Sequence, residues 1–191
     1  MRNLMKKIRK SKKGFTLVEV IVTFALTGIL LASAAAVLGV FMNSFVRIRS
    51  MSEMETAAHT IMETIISELE SAAGGETIPE ERTAFVLAED GSVWYRNYEG
   101  GIAHMRINEE GRLLLEYYTE GDLISGKEPE DTWQYPEGFY GNCEIQKLEI
   151  NRIEGKNLLE VVLELQHGPG KTTYSVTRML ECYNLEADEL G

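Results

Sequence analysis

The sequence predicts an α+β protein: a long N-terminal helix, membrane-spanning in its first half and amphipathic in its second, packed on an antiparallel β-sheet head. Three observations predict it. Val20 to Val46 is an unbroken run of 27 residues without a charge. An apolar stripe at helical spacing then continues to Ala72 with no proline. Beyond it, residues 76–191 alternate apolar and polar side chains between clusters of turn-forming residues. The predicted organisation is a basic leader at 1–14, the membrane half of the helix at 15–46, its amphipathic half at 47–75, and an exported β-rich head at 76–191.

The leader carries seven basic side chains, Arg2, Lys6, Lys7, Arg9, Lys10, Lys12 and Lys13, and no acid. Over 15–191 the balance reverses to 12 basic and 30 acidic residues, a net charge of -18 within a whole-chain value of -11. The uncharged run is about 40 Å long as a helix, against a hydrocarbon core of about 30 Å. Thr23, Thr27 and Ser33 are compatible with such a span because their hydroxyls can bond carbonyls one turn back. Basic residues before the span, with only Arg47 and Arg49 after it, predict a cytoplasmic N-terminus and an extracytoplasmic head.

A secretory signal peptide is the plainer reading of a basic start, an apolar stretch and the small residues Ala32 to Ala36. Two features oppose it. Glu19 lies inside the apolar segment, where a buried charge costs a few kcal/mol and calls for a partner. The helical pattern also runs past the alanines: Met51, Met54, Ala58, Ile61, Ile65, Leu69 and Ala72 recur every three or four residues, with Glu53, Glu55, Glu63, Glu68 and Glu70 mostly between them. Gly74-Gly75 supplies a stop. From Phe15 to Ala73 this is one helix of about 88 Å at the standard rise.

Lys12-Lys13-Gly14-Phe15-Thr16-Leu17-Val18-Glu19 resembles the N-terminal signature of type IV pilins and type II secretion pseudopilins: a short basic leader, then K-G-F-T-L-[apolar]-E, then a long apolar helix. The resemblance covers about the first 30 residues. It implies cleavage between Gly14 and Phe15 by a prepilin peptidase, N-methylation of Phe15, and a structural rather than catalytic role. It also implies partners: other pilin or pseudopilin subunits, an assembly platform and the membrane. Glu19 would neutralise the terminal amine of a neighbouring Phe15, an ammonium partner that offsets the cost of its burial. Lys12 and Lys13 would hold the leader at the anionic cytoplasmic face. Many family members have a proline near the middle of the membrane helix; here Ala36 stands there.

In the head, 83–88 and 92–98 flank Glu89-Asp90-Gly91, and 102–107 and 112–119 flank Asn108 to Gly111, two hairpin signals. A polar loop is expected at 120–140. Three longer strands follow at about 143–153, 157–166 and 171–182. Alternation in Leu148, Ile150 and Arg152, and in Leu159, Val161, Leu163 and Leu165, makes one sheet face apolar, and the helix stripe is its expected cover.

Two cysteines in an exported chain invite a disulfide between Cys143 and Cys182. A simple meander puts them at opposite ends of strands about 30 Å long, beyond bridging reach, whereas the pilin resemblance favours a bridge. No cofactor or metal site is expected. His59, His104 and His167 fit no metal-ligand spacing, and the acids of 120–137 lack calcium-loop spacing and read as a solvated run. Ten basic against 24 acidic residues at 76–191, a net of -14, argue against direct nucleic-acid contact. Within the resemblance, a major pilin, a minor pilin and a pseudopilin of a secretion or DNA-uptake machine remain open, and the large head favours a minor role. The alternative from another class is a signal-peptidase-processed secreted binding protein or enzyme with a β-rich domain.

Overall fold

The computed structural model describes residues 14–72, 85–88, 90–168 and 172–185. The expected helix stop at Gly74-Gly75, the leader lysines, and parts of the first and last strand signals lie outside these residues. Helix α1 spans Leu17–Glu70 without interruption, through Ala36. Contacts divide the chain into two units between Arg47 and Ile48.

In the first unit the apolar residues of α1 are exposed all round, from Phe15 (79%) through Phe24 (82%) to Val46 (57%). The three hydroxyls in this stretch are satisfied within the helix. Thr23 Oγ1 donates to the Glu19 carbonyl at 2.7 Å, Thr27 to that of Thr23 at 2.8 Å, and Ser33 to that of Leu30 at 2.8 Å.

In the second unit α1 is amphipathic. Met54, Ala57, Ala58, Ile61, Met62, Ile65 and Leu69 are buried, with Ala72 following. The stripe read from the sequence holds from Met54 onward, but Met51 is 40% exposed and outside the core. Ala57 and Met62 widen the stripe to the two-residue-per-turn face that a helix on a sheet presents.

Among the described residues eight strands form two antiparallel sheets where one was expected. β1 (Phe85–Leu87), β2 (Val93–Arg96), β3 (Ile102–Ile107), β4 (Leu113–Tyr118) and β5 (Asp131–Gln134) make a five-stranded sheet in that order. β6 (Cys143–Ile153), β7 (Leu158–His167) and β8 (Thr172–Glu181) make a three-stranded one. Both share one core with α1, in which Tyr95, Met105 and Leu115 of the first sheet join Leu148, Val161 and Leu163 of the second.

The stretch 120–140 is not a plain loop. It holds a short helix α2 (Glu120–Ile124), strand β5 and a turn of helix α3 (Glu137–Tyr140). Thr119 caps α2, accepting from Asp122 N. β5 is exposed at all four positions, so its acids and polar residues gave no burial signal. Tyr135, just after it, explains why this segment is ordered: its hydroxyl lies 2.5 Å from Thr64 Oγ1 and donates to the Thr60 carbonyl at 3.2 Å, tying the strand end to α1.

The two sheets meet where hairpin turns abut β6. The β3–β4 turn is built on Asn108, whose Oδ1 accepts from Glu110 N at 3.0 Å and Arg112 N at 2.9 Å. It closes on Gly111 at φ 69°. Gly111 O then accepts a 2.8 Å bond from Ile145 N of β6. A Cβ on Gly111 would lie 3.0 Å from Glu144 Cβ, so only glycine admits this approach. Nearby, β6 bulges between Ile145 and Lys147. The extra residue resolves a parity conflict, since Cys143 and Ile145 are buried at odd positions and Leu148 and Ile150 at even ones.

Candidate processing and assembly site

The residues singled out at the N-terminus lie where α1 begins. Gly14, Phe15 and Thr16 precede the helix in non-helical conformation. Thr16 is its N-cap: Thr16 O accepts the first helical bond from Val20 N at 3.2 Å, and Thr16 Oγ1 accepts from Glu19 N at 3.3 Å. Glu19 is therefore the third helical residue. The spacing T-x-x-E is a capping-box pattern, a signal readable from the sequence that the family motif overshadowed. Its carboxylate also sits in the first turn, where the helix dipole favours negative charge. Among the described residues nothing lies within 4 Å of where a Cβ on Gly14 would be. Phe15 and Glu19 are both exposed, and Lys12 and Lys13 lie outside the described residues.

Residues 9–35 match the family model of the prokaryotic N-terminal methylation motif. The chain carries the prepilin-type signature of type IV pilins and pseudopilins. No curated protein and no solved structure matches it. The long N-terminal helix followed by antiparallel sheets is the α+β arrangement consistent with a pilin-like fold. α1 is also long and apolar enough to cross a membrane, which fits a single-pass, membrane-anchored prepilin. The signature points to a structural pilin-like subunit that a prepilin peptidase processes and that assembles with other such subunits.

Several acids of this prepilin-type chain's second unit have local partners. Glu68 on α1 accepts from Tyr95 and Tyr117. Asp122 is held by Lys127 at 2.8 Å, and Glu120 lies 3.7 Å from Arg96. A cleft of about 950 Å³ opens beside Glu68, Tyr98, Glu99, Tyr117, Glu130 and Asp131. Among the described residues no three His, Cys, Asp or Glu side chains converge as a metal site would require. His59 contacts Tyr174, His104 contacts Glu116, and His167 ends β7, so the three histidines sit on α1, β3 and β7.

Cys143 and Cys182 are free and buried, so the bridge raised for this pair is not formed. The reason is topological. Cys143 starts β6 opposite His167, whereas Cys182 follows β8 beside the other end of β7, where Leu158 pairs with Glu181. Nearly the full length of β7 separates them. Burial pushes the Cys182 thiol up to about 11 and raises that of Cys143, so neither is a ready nucleophile.

Proposed function

We propose that this chain is a structural subunit, a minor pilin or pseudopilin, of a filament of the type IV pilus, type II secretion or DNA-uptake kind. The observation that carries the reading is the methylation motif at residues 9–35, set directly before a helix whose apolar surface is bare through Val46. A bare apolar surface of that length needs lipid before assembly and neighbouring helices after it.

In this reading residues 1–14 are a cytoplasmic leader, oriented by its lysines and removed between Gly14 and Phe15. Phe15 becomes the N-methylated terminus. Residues 15–46 hold the subunit in the membrane and then in the filament core, 47–75 carry the head, and 76–191 face the outside. Glu19 pairs with the terminal ammonium of a neighbouring subunit. A carboxylate in lipid is costly alone, and a partner ammonium both offsets that cost and fixes axial register. The acidic head, net -14 over 76–191, suits a filament surface and not a nucleic-acid contact.

The test is the mature N-terminus. Mass spectrometry of the chain from cells with a prepilin peptidase is expected to give N-methyl-Phe15. A start near Ala35 or Leu38 supports a signal-peptidase-processed secreted protein instead and overturns the reading. Glu19→Ala is expected to be cleaved normally and excluded from filaments; normal assembly of that variant overturns the pairing role alone.

A further inference from the structure

The face of the five-stranded sheet turned away from α1 carries a cluster that filament assembly does not account for. Trp94, His104 and Glu116 are direct cross-strand neighbours on β2, β3 and β4. The Trp94 indole lies flat on the His104 imidazole, with centroids 3.8 Å apart and an interplanar angle of 9°. His104 Nδ1 is 3.0 Å from Glu116 Oε2. Arg106 grips the same carboxylate with two bonds, Nε to Oε2 at 3.0 Å and Nη2 to Oε1 at 2.8 Å. His104 Nε2 is buried and has no hydrogen-bond partner among the described residues.

These contacts set the protonation state that the site tolerates. Arg106 keeps the Glu116 carboxyl below its usual range, hence ionised. An ionised carboxylate takes a proton-bearing Nδ1, so the neutral ring presents Nε2 as a bare lone pair. A second proton would have to sit on Nε2, in a position with no acceptor. Leaving a charged donor buried and unpaired costs more than a cation gains on the Trp94 face. The unpaired donor decides the balance.

Glu116 favours a protonated ring and Arg106 offsets part of that pull, so burial decides against the second proton. The other charged or titratable groups described around the ring are Asp90, of the β1–β2 turn, and Tyr118, of β4. Asp90 is engaged by Ser92 N at 2.9 Å, and the Tyr118 ring tilts against Trp94 at 5.6 Å.

We propose that His104 is an acid-sensitive latch: neutral, it holds Trp94 flat against the outer face of the sheet; protonated, it leaves the stack to find an acceptor for Nε2. Ile102 and Leu114 are buried two residues away on the same face of β3 and β4. The head thus meets an acidic medium with a loosened, more apolar face than it shows at neutral pH. Burial as the leading cause holds the His104 imidazole below its ordinary range, which places the transition on the acid side of about 6.5.

The chain has two tryptophans, so Trp133→Phe leaves Trp94 as its sole indole. In detergent-solubilised full-length chain, Trp94 emission is expected to shift in one reversible step with a midpoint below about pH 6.5. His104→Phe keeps a flat ring without a proton and is expected to abolish the step. Arg106→Gln leaves Glu116 unneutralised and is expected to move the midpoint up by about one pH unit or more. A parent chain with no step, a step that survives in His104→Phe, or an unmoved midpoint in Arg106→Gln overturns the proposal. Should either variant fail to fold, the His104 ring resonance of the unaltered chain decides. A titration below about 6.5 that moves the Trp94 Nε1–H signal with it supports the latch, and any other behaviour overturns it.

Discussion

The Tyr95 hydroxyl donates a 2.7 Å hydrogen bond to Glu68 Oε2, joining a fully buried position of β2 to the helix that covers the sheet. Tyr117 on β4 reaches the other oxygen of the same carboxylate at 3.3 Å. One acid on α1 therefore satisfies two phenols, Tyr95 fully buried and Tyr117 half-buried. Glu68→Ala strands the Tyr95 hydroxyl, and the head is expected to lose about 1–3 kcal/mol, the usual cost of an unsatisfied buried donor. Chemical denaturation of Glu68→Ala, read beside Tyr95→Phe and the double variant, measures the coupling. A double variant no less stable than Tyr95→Phe shows that the bond is the source.

The same contact predicts how the head responds to alkali. Burial, and after it the Glu68 charge, raises the Tyr95 and Tyr117 hydroxyls above their ordinary range, and burial pushes Tyr140 up to about 12. For a group raised in the fold, the stabilisation is complete below the unfolded value of about 10 and is lost as pH rises through the folded one. The fold is thus expected to weaken from about pH 10 upward. Phenolate absorbance is expected to rise in two stages, exposed tyrosines first and these three together as the head unfolds. A smooth single-group titration of all eight tyrosines counts against the buried pairing.

Helix α1 covers the sheets through residues that can be separated by substitution. Ile61 and Ile65 are fully buried among the core residues, whereas Met51 is 40% exposed. Ile65→Ala is expected to cost about 2–5 kcal/mol through lost burial and the cavity left behind. Met51→Ala is expected to stay within about 0.5 kcal/mol, as surface changes do. Equal costs at the two positions would mean that the apolar stripe extends to Met51 after all.

Much of this was legible in the sequence because it was periodic. The stripe from Met54 to Ala72 and the alternation in β7 each read out one buried face directly. What stayed hidden had no local signal. β5 is an exposed edge strand, and its place is fixed by Tyr135 reaching Thr64, 71 residues back in the chain. The bulge in β6 is visible in hindsight as a change of parity between Ile145 and Leu148, but only a register against β7 turns it into structure. Asn97 repeats the turn chemistry of Asn108, with its Oδ1 accepting from Glu99 N and Gly101 N. That repeat ends β2 at Arg96, where the sequence pattern ran on to Tyr98. At the N-terminus the motif was plain, while the cap from Thr16 to Glu19 came from helix-start chemistry.

Glycines at two hairpin turns separate backbone strain from close approach. Gly100 and Gly111 both have positive φ, 84° and 69°. A Cβ on Gly100 meets nothing within 4 Å, whereas one on Gly111 meets Glu144 Cβ at 3.0 Å and the Ile145 carbonyl at 3.2 Å. Gly100→Ala is expected to cost about 1–2 kcal/mol, the strain of the left-handed region alone. Gly111→Ala carries that strain and must also push β6 away from the turn, lengthening the 2.8 Å bond from Ile145 N to Gly111 O. Its denaturation midpoint is expected to fall further than that of Gly100→Ala, with faster amide exchange at Ile145. If the two variants lose the same stability and Ile145 stays protected, the seam between the sheets does not rest on this contact.

The two thiols bear on the proposed export, because an exported head with free cysteines would be exposed to oxidants that most such domains answer with a bridge. Here neither cysteine reaches the other, and each is shielded by the core. Alkylation of the native chain is expected to be slow at both sites, slower at Cys182, whose thiol is pushed up to about 11, and fast once the head is unfolded. Two alkyl groups are expected on the denatured chain with or without prior reduction. A chain that needs reduction before it takes either label contains a bridge, and the separation of Cys143 and Cys182 along β7 would then be wrong.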